Sequence, residues 1–135
     1  MILQEGMIGL DQPWWMILAA LLIGHMLGDY PLQGEFLAIY KNHRLPKDAN
    51  HMPGQPRGLW FHCLTAHAAI HAGIVWCITG LFALAIAELI LHWVIDFLKS
   101  EGWTNFHVDQ VLHVLCKMGF VALIYFNLIP ESLNY

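Results

Sequence analysis

Four long apolar runs, Trp14 to Leu27, Leu59 to Thr79, Leu81 to Leu98 and Val108 to Ile129, constrain this chain more than any other feature. A helix that crosses a bilayer needs about 20 mostly apolar residues, so the last three runs qualify and the first is short unless it continues through Gly28 and Asp29. Thr79 and Gly80 leave room only for a tight hairpin, which makes the second and third runs antiparallel neighbours. Composition points the same way: 58% of the residues are apolar and only 12% are charged, against about 25% charged in an ordinary soluble domain. The expected fold is all-α, an integral membrane protein with four transmembrane helices in an antiparallel bundle. It forms one domain over residues 1–135, with spans near 14–28, 59–79, 81–98 and 108–129 and a polar loop over 29–58. A soluble four-helix bundle with an apolar surface is the competing fold.

Basic residues set the orientation. Lys41, Arg44, Lys47 and Arg57 follow the first run and Lys99 follows the third, so the positive-inside rule makes loops 29–58 and 99–107 cytoplasmic and both termini external. Residues 1–10 contain Glu5 and no Lys or Arg, so insertion is expected to begin at the first internal run rather than at a basic leader. Within the first loop Leu32, Phe36, Ile39 and Tyr40 form a helical stripe suited to a short interfacial helix. A formal net charge of −4 with six basic residues disfavours a nucleic-acid groove. Three cysteines without CxxC spacing read as small buried hydrophobes.

Nine histidines against six lysines and arginines need an explanation in so apolar a chain, because a buried polar group without a partner costs several kcal/mol. Position supplies one. His25 and Asp29, His67 and His71, His92 and Asp96, and Asp109 and His113 are each four residues apart, and residues four apart share a helix face. Glu88 extends the third stripe by a turn and Lys117 the fourth. The pairs fall in the cytoplasmic half of the bundle, with His71 near mid-membrane. A dry external plug of Val75, Trp76, Leu84, Phe120 and Leu123 is expected beyond them. Imidazoles and carboxylates on facing helices suit a divalent transition metal, zinc first, with manganese or iron as alternatives.

The expected ligands are His25, Asp29, His67, His71, His92, Asp96 and His113, with Glu88 as a supporting group. They suffice for two ions, or for one ion and its surrounding shell. Asp109 is the candidate general base or partner of His113, Lys99 and Lys117 would offset phosphate charge, and Gln33, Gln110 and Lys41 would hold substrate. His62 and His107, taken singly, read as structural. The function expected is metal-dependent hydrolysis of a lipid or lipid-linked phosphoester, with the bilayer as partner and a homo-oligomer allowed. One alternative is a metal or proton transporter or channel. Another is an interaction protein that engages a membrane partner through His43 to Gly58, its His–Asp pairs serving only as interhelical glue.

The set His25-x3-Asp29-x3-Gln33, Lys41, His67-x3-His71, His92-x3-Asp96-x2-Lys99 and Asp109-Gln110-x2-His113 resembles a bacterial and phage membrane family known as domain of unknown function 3307. The resemblance runs from about Leu22 to Cys116, with Tyr30 where the family pattern has Phe. It implies a small polytopic helical protein of a bacterial inner membrane, of bacterial or phage origin, and carries no activity. His25-x3-Asp29 and His92-x3-Asp96 are also similar to the HxxxD ligand pairs of zinc-dependent phospholipase C and related nucleases, a looser likeness that favours phosphoester hydrolysis.

Overall fold

The computed structural model describes residues 6–44 and 54–130. Among them are five helices and no strand: α1 (Trp14–Asp29), α2 (Gly34–Tyr40), α3 (Leu59–Thr79), α4 (Phe82–Ser100) and α5 (Phe106–Tyr125). The all-helical expectation holds. Residues 45–53, with Lys47 and most of the loop invoked for a membrane partner, lie outside the described residues.

Helices α1, α3, α4 and α5 close a ring in which each packs on the next and α5 returns to α1. Their directions follow from side-chain neighbours. Gly24 faces Ile74 and Ile78 while Gly28 faces His71, so α1 and α3 run oppositely. Asp29 meets Gln110, and His25 meets His113, so α5 and α1 do too.

The α3–α4 turn has a local cause. Gly80 adopts φ +72 and donates its N–H to the Trp76 carbonyl at 2.7 Å, a left-handed helix stop that suits glycine. The Thr79 hydroxyl donates to the Val75 carbonyl at 2.8 Å and accepts from the Leu81 N–H. Backbone N–H groups of Met7 and Ile8 then satisfy the Cys77 and Ile78 carbonyls at the end of α3. At the other end Asn105 caps α5 by accepting from the Val108 N–H.

Helices α3 and α5 are long and apolar enough to cross a membrane, and α1 passes only together with α2, as a pair bent by 83°. Among the described residues four individually competent spans are not found. Helix α1 has 16 residues, and α4 carries Glu88, Asp96 and Lys99 within its 19. The fourth run also ends as helix at Tyr125, before Asn127 takes a positive φ of 51°.

Helix α2 buries Tyr40 and leaves Phe36 and Ile39 exposed. The sequence stripe is therefore divided between the bundle and the outside.

The packing inverts the soluble pattern. His25, His67, His71, Glu88, His92, Asp96, Asp109, His113 and Lys117 are buried, while Ile23, Met26, Ile90, Leu91, Val94, Val111, Leu115 and Met118 are exposed. Exposed aromatics mark both ends, Trp14, Trp15, Trp76, Phe82 and Tyr125 at one and Tyr30, Phe61, Trp103 and Phe106 at the other. Phe61 and Trp76 are 15 residues apart on α3, about 22 Å of helix, and Phe106 and Tyr125 are 19 apart on α5, about 28 Å. Those lengths approach the roughly 30 Å of a hydrocarbon core.

Ile17, Leu21, Val75, Ile78, Leu81, Leu84, Phe120 and Val121 fill the half of the ring nearest the Thr79–Gly80 hairpin. The expected plug is thus present around Val75, Leu84 and Phe120, but Trp76 and Leu123 are corrected to the outer surface. A continuous apolar run cannot reveal which of its faces turns inward. The cysteines need the same correction: Cys63 is buried, Cys116 half-buried and Cys77 exposed.

Candidate metal centre

Each helix of the ring delivers its i, i+4 pair to the same interior. Asp29, at the last turn of α1, is the meeting point of three imidazoles. His67 Nε2 and His71 Nε2 on α3 approach its Oδ1 at 3.4 and 3.1 Å, and His25 Nε2, one turn back on α1, approaches its Oδ2 at 3.3 Å. His71 can stand there because Gly28 has no side chain: a Cβ at that position would lie 2.5 Å from His71 Cε1 and 2.6 Å from Nε2.

Asp96 on α4 mirrors Asp29. Its Oδ2 lies 3.4 Å from His67 Nε2 and 3.9 Å from His92 Nε2, and its Oδ1 lies 3.4 Å from His113 Nε2. Asp109 Oδ1 stands 3.7 Å from the same His113 nitrogen. The rings pack closely, His71 stacked on His92 with centroids 3.7 Å apart, His92 on His113 at 4.2 Å and His25 near His113 at 4.8 Å. Three overlapping sets can hold a cation: Asp29, His67, His71 and His92; His25, His92 and His113; and Asp96, Asp109 and His113.

His113 Nε2 is hydrogen-bonded to Asp96 Oδ1 and His92 Nδ1 to Glu88 Oε1, but the imidazole contacts to Asp29 do not behave as hydrogen bonds. Both ring nitrogens of His25 and of His67, and Nε2 of His71 and His92, are buried without a hydrogen-bond partner, as is Asp109 Oδ1. The 3.1 to 3.4 Å approaches to Asp29 are short enough for ion contact but misaligned for N–H donation. Two ligands on one tetrahedral ion, each bound at 2.0–2.1 Å, are separated by about 3.3 Å. The 3.1 to 3.4 Å spacing around Asp29 is compatible with ligands of a shared ion, and the donor set fits zinc or a similar divalent metal.

The mouth of the site carries cations. Lys41 Nζ reaches Asp96 Oδ2 at 2.6 Å, and Lys99 Nζ lies 2.7 Å from Asp109 Oδ2 and 3.3 Å from Asp96 Oδ1. The Gln110 side-chain amide donates to both Asp29 and Asp109. A cleft of about 200 Å³ opens here, lined by Asp29, Tyr30, Gln33, Lys41, Lys99, Phe106 and Gln110. A larger groove of about 310 Å³ between Trp14, Leu18, Met118 and Tyr125 is apolar and far from these groups. The polar cleft opens beside the His–Asp cluster.

Depth separates the remaining residues. Glu88 and His71 lie 12 residues from the mouth ends of α4 and α3 and Lys117 lies 11 from that of α5, each about 16–18 Å inward. There Lys117 Nζ contacts Glu88 Oε1 at 2.5 Å, and the same oxygen lies 3.2 Å from His92 Nδ1. Lys117 is thus fully buried behind the imidazoles, whereas Lys99, with which sequence reasoning grouped it, stands at the cleft. His62 and His107 are exposed and apart from the cluster.

Two features escaped the sequence reading. Gly24-x3-Gly28 lets α1 approach α3 closely, a spacing visible in the sequence as a small-residue motif. At the rim, Glu101 pairs with His43 and Arg44, both at 2.6 Å, with the His43 ring packed against both Trp60 and Phe97. No short-range spacing links those residues, since 43 and 101 belong to different segments.

The profile of a family described as protein of unknown function (DUF3307) matches residues 17–134. No curated protein and no solved structure matches the chain significantly.

Proposed function

Because the chain belongs to the DUF3307 family, whose description assigns no activity, we propose from the site itself that it is an integral membrane, metal-dependent hydrolase acting on a lipid or lipid-linked phosphoester. The observation that carries this reading is the convergence of His25, His67 and His71 on Asp29 at ligand spacing without hydrogen bonds. The inverted packing and the two aromatic ends support four spans, with α4 tolerated in the bilayer because its charges face inward. Lys41, Arg44 and Lys99 on the cleft side support a cytoplasmic mouth in a bacterial inner membrane.

A divalent ion in the site, zinc first, would supply Lewis acidity and a water acidified to near neutrality. The protein's own groups do the rest. Lys41 and Lys99 face the cleft and bind phosphate oxygens, and Gln33 and Gln110 orient the ester. Asp109, whose Oδ1 accepts no hydrogen bond and lies 3.7 Å from His113 Nε2, takes a proton from the attacking water as its oxygen joins phosphorus. The bond to the leaving oxygen breaks, and that proton passes to the departing alkoxide.

The test is elemental analysis of detergent-purified protein prepared without chelators, with phosphoester hydrolysis measured in mixed micelles. Stoichiometric zinc, manganese or iron, lost in Asp29→Ala together with activity, is expected. Metal-free protein in every preparation would remove the proposal.

Transport is the competing reading, favoured by the Lys117–Glu88–His92 chain that carries polarity deeper. That chain meets the apolar plug of Leu21, Val75, Leu84 and Phe120. Flux in proteoliposomes, abolished by His71→Ala, would reverse the order of the two readings.

A further inference from the structure

We infer that the centre is dinuclear, with Asp29 and Asp96 as bridging carboxylates between two divalent ions. The inference rests on the metal-centre reading above and goes beyond it in number and arrangement.

The two oxygens of each aspartate address different histidines. Asp29 Oδ1 faces His67 and His71, and Asp29 Oδ2 faces His25. Asp96 Oδ2 faces His67 and His92, and Asp96 Oδ1 faces His113. The division is the same from both sides of the bundle. One ion position lies among His67, His71, Asp29 Oδ1 and Asp96 Oδ2. The other lies among His25, His113, Asp29 Oδ2 and Asp96 Oδ1, with Asp109 Oδ1 beside it at 3.7 Å from His113. On this partition each ion would take two imidazoles and one oxygen from each aspartate.

A single ion cannot satisfy this arrangement. It would use one oxygen of Asp29 and leave either His25 or the His67–His71 pair with its nitrogens buried and unpartnered. Buried groups in that condition are destabilising by roughly 1–3 kcal/mol apiece. Two ions satisfy both halves. His25 is the independent indicator of the second position, since it is 4% exposed and neither ring nitrogen has a hydrogen-bond partner. His92 stands between the halves, its Nδ1 held by Glu88 and its Nε2 free for either ion.

Charge then selects the ligand class. Asp29, Glu88, Asp96 and Asp109 exceed Lys41, Lys99 and Lys117 by one negative charge, so one divalent ion leaves the interior at +1 and two leave it at +3. A dinuclear centre therefore attracts a multiply charged anion at the cleft. Paired ions about 3.5–4 Å apart clamp the attacking and leaving oxygens of a phosphoryl group.

The experiment is metal titration of the detergent-purified full chain with zinc, and separately with manganese, followed by elemental analysis and low-temperature electron paramagnetic resonance. Two ions per chain and an exchange-coupled manganese signal are expected. His113→Ala and His71→Ala should each retain one ion and give the signal of isolated manganese. One ion per chain in the unaltered protein, with isolated manganese, overturns the dinuclear inference and leaves the metal centre standing. No ion at all overturns both. Two ions retained in His113→Ala would overturn the ligand partition. The manganese spectrum of the unaltered chain requires no variant, so poor folding of a variant does not shield the inference.

Discussion

Replacing Gly28 with alanine perturbs the centre through a single methyl group. The new Cβ would lie 2.5, 2.6 and 2.9 Å from three atoms of the His71 ring, where ordinary contact begins at 3.4 Å. The ring must retreat by about 0.9 Å, while ligand distances tolerate only about 0.2 Å. His71 Nε2, 3.1 Å from Asp29 Oδ1, is therefore carried out of ligand range. Loss of even a supporting contact at a metal site weakens affinity by about 10–100-fold, so at least that range is expected here. Competition for zinc against a chromophoric chelator measures it. Gly119→Ala is the control, because nothing lies within 4 Å of its Cβ. Both substitutions gain roughly 0.5–1 kcal/mol of helix preference, so helix propensity cannot separate them and metal affinity can. Zinc affinity in Gly28→Ala within twofold of the unaltered protein would refute the placement of His71 as a ligand.

Three further outcomes follow from the contacts. Glu88→Gln leaves the Lys117 ammonium buried without its counter-charge and should destabilise by about 3–5 kcal/mol, read as a lowered melting temperature in detergent; adding Lys117→Met should recover most of it. Lys41→Met should raise KM for an anionic substrate about 10–100-fold, the equivalent of losing a charged hydrogen bond of roughly 1.5–3 kcal/mol, with metal content unchanged by elemental analysis. Gly80→Ala forces a left-handed backbone on a residue with a Cβ at about 1–2 kcal/mol, so thermal stability should fall while metal stoichiometry stays the same.

The helices were readable because apolar runs and their polar interruptions both repeat with helical period: α3 coincides with the run from Leu59 to Thr79, and α1 with the short first run extended to Asp29. The i, i+4 pairs were readable for the same reason, since a shared helix face is a local property. What the sequence withheld depends on relations between helices. Lys117 and Lys99 look alike as lysines among apolar residues, yet only the depth of α5 against α4 sends one to Glu88 and the other to the cleft. Trp76 reads as plug material until the rotation of α3 turns it outward. Composition also cannot weigh α4 by its facing, because Glu88, Asp96 and Lys99 count against a span whether they face outward or one another.

The ring closes through α1 against α5, and this orders the life history of the molecule. The α3–α4 hairpin forms from neighbouring residues and can assemble early. It brings His67, His71, His92 and Asp96 together, but Asp29 comes from α1 and His113 and Gln110 from the last helix, with Asp29 and Gln110 81 positions apart. Glu88 likewise waits for Lys117. A nascent chain that has not yet delivered α5 holds only part of the cage and an unneutralised glutamate. If the site takes two ions, a chain interrupted before residue 106 keeps Asp29, His67 and His71 for the first but lacks His113 and Asp109 for the second, so completing the pair waits for the last helix.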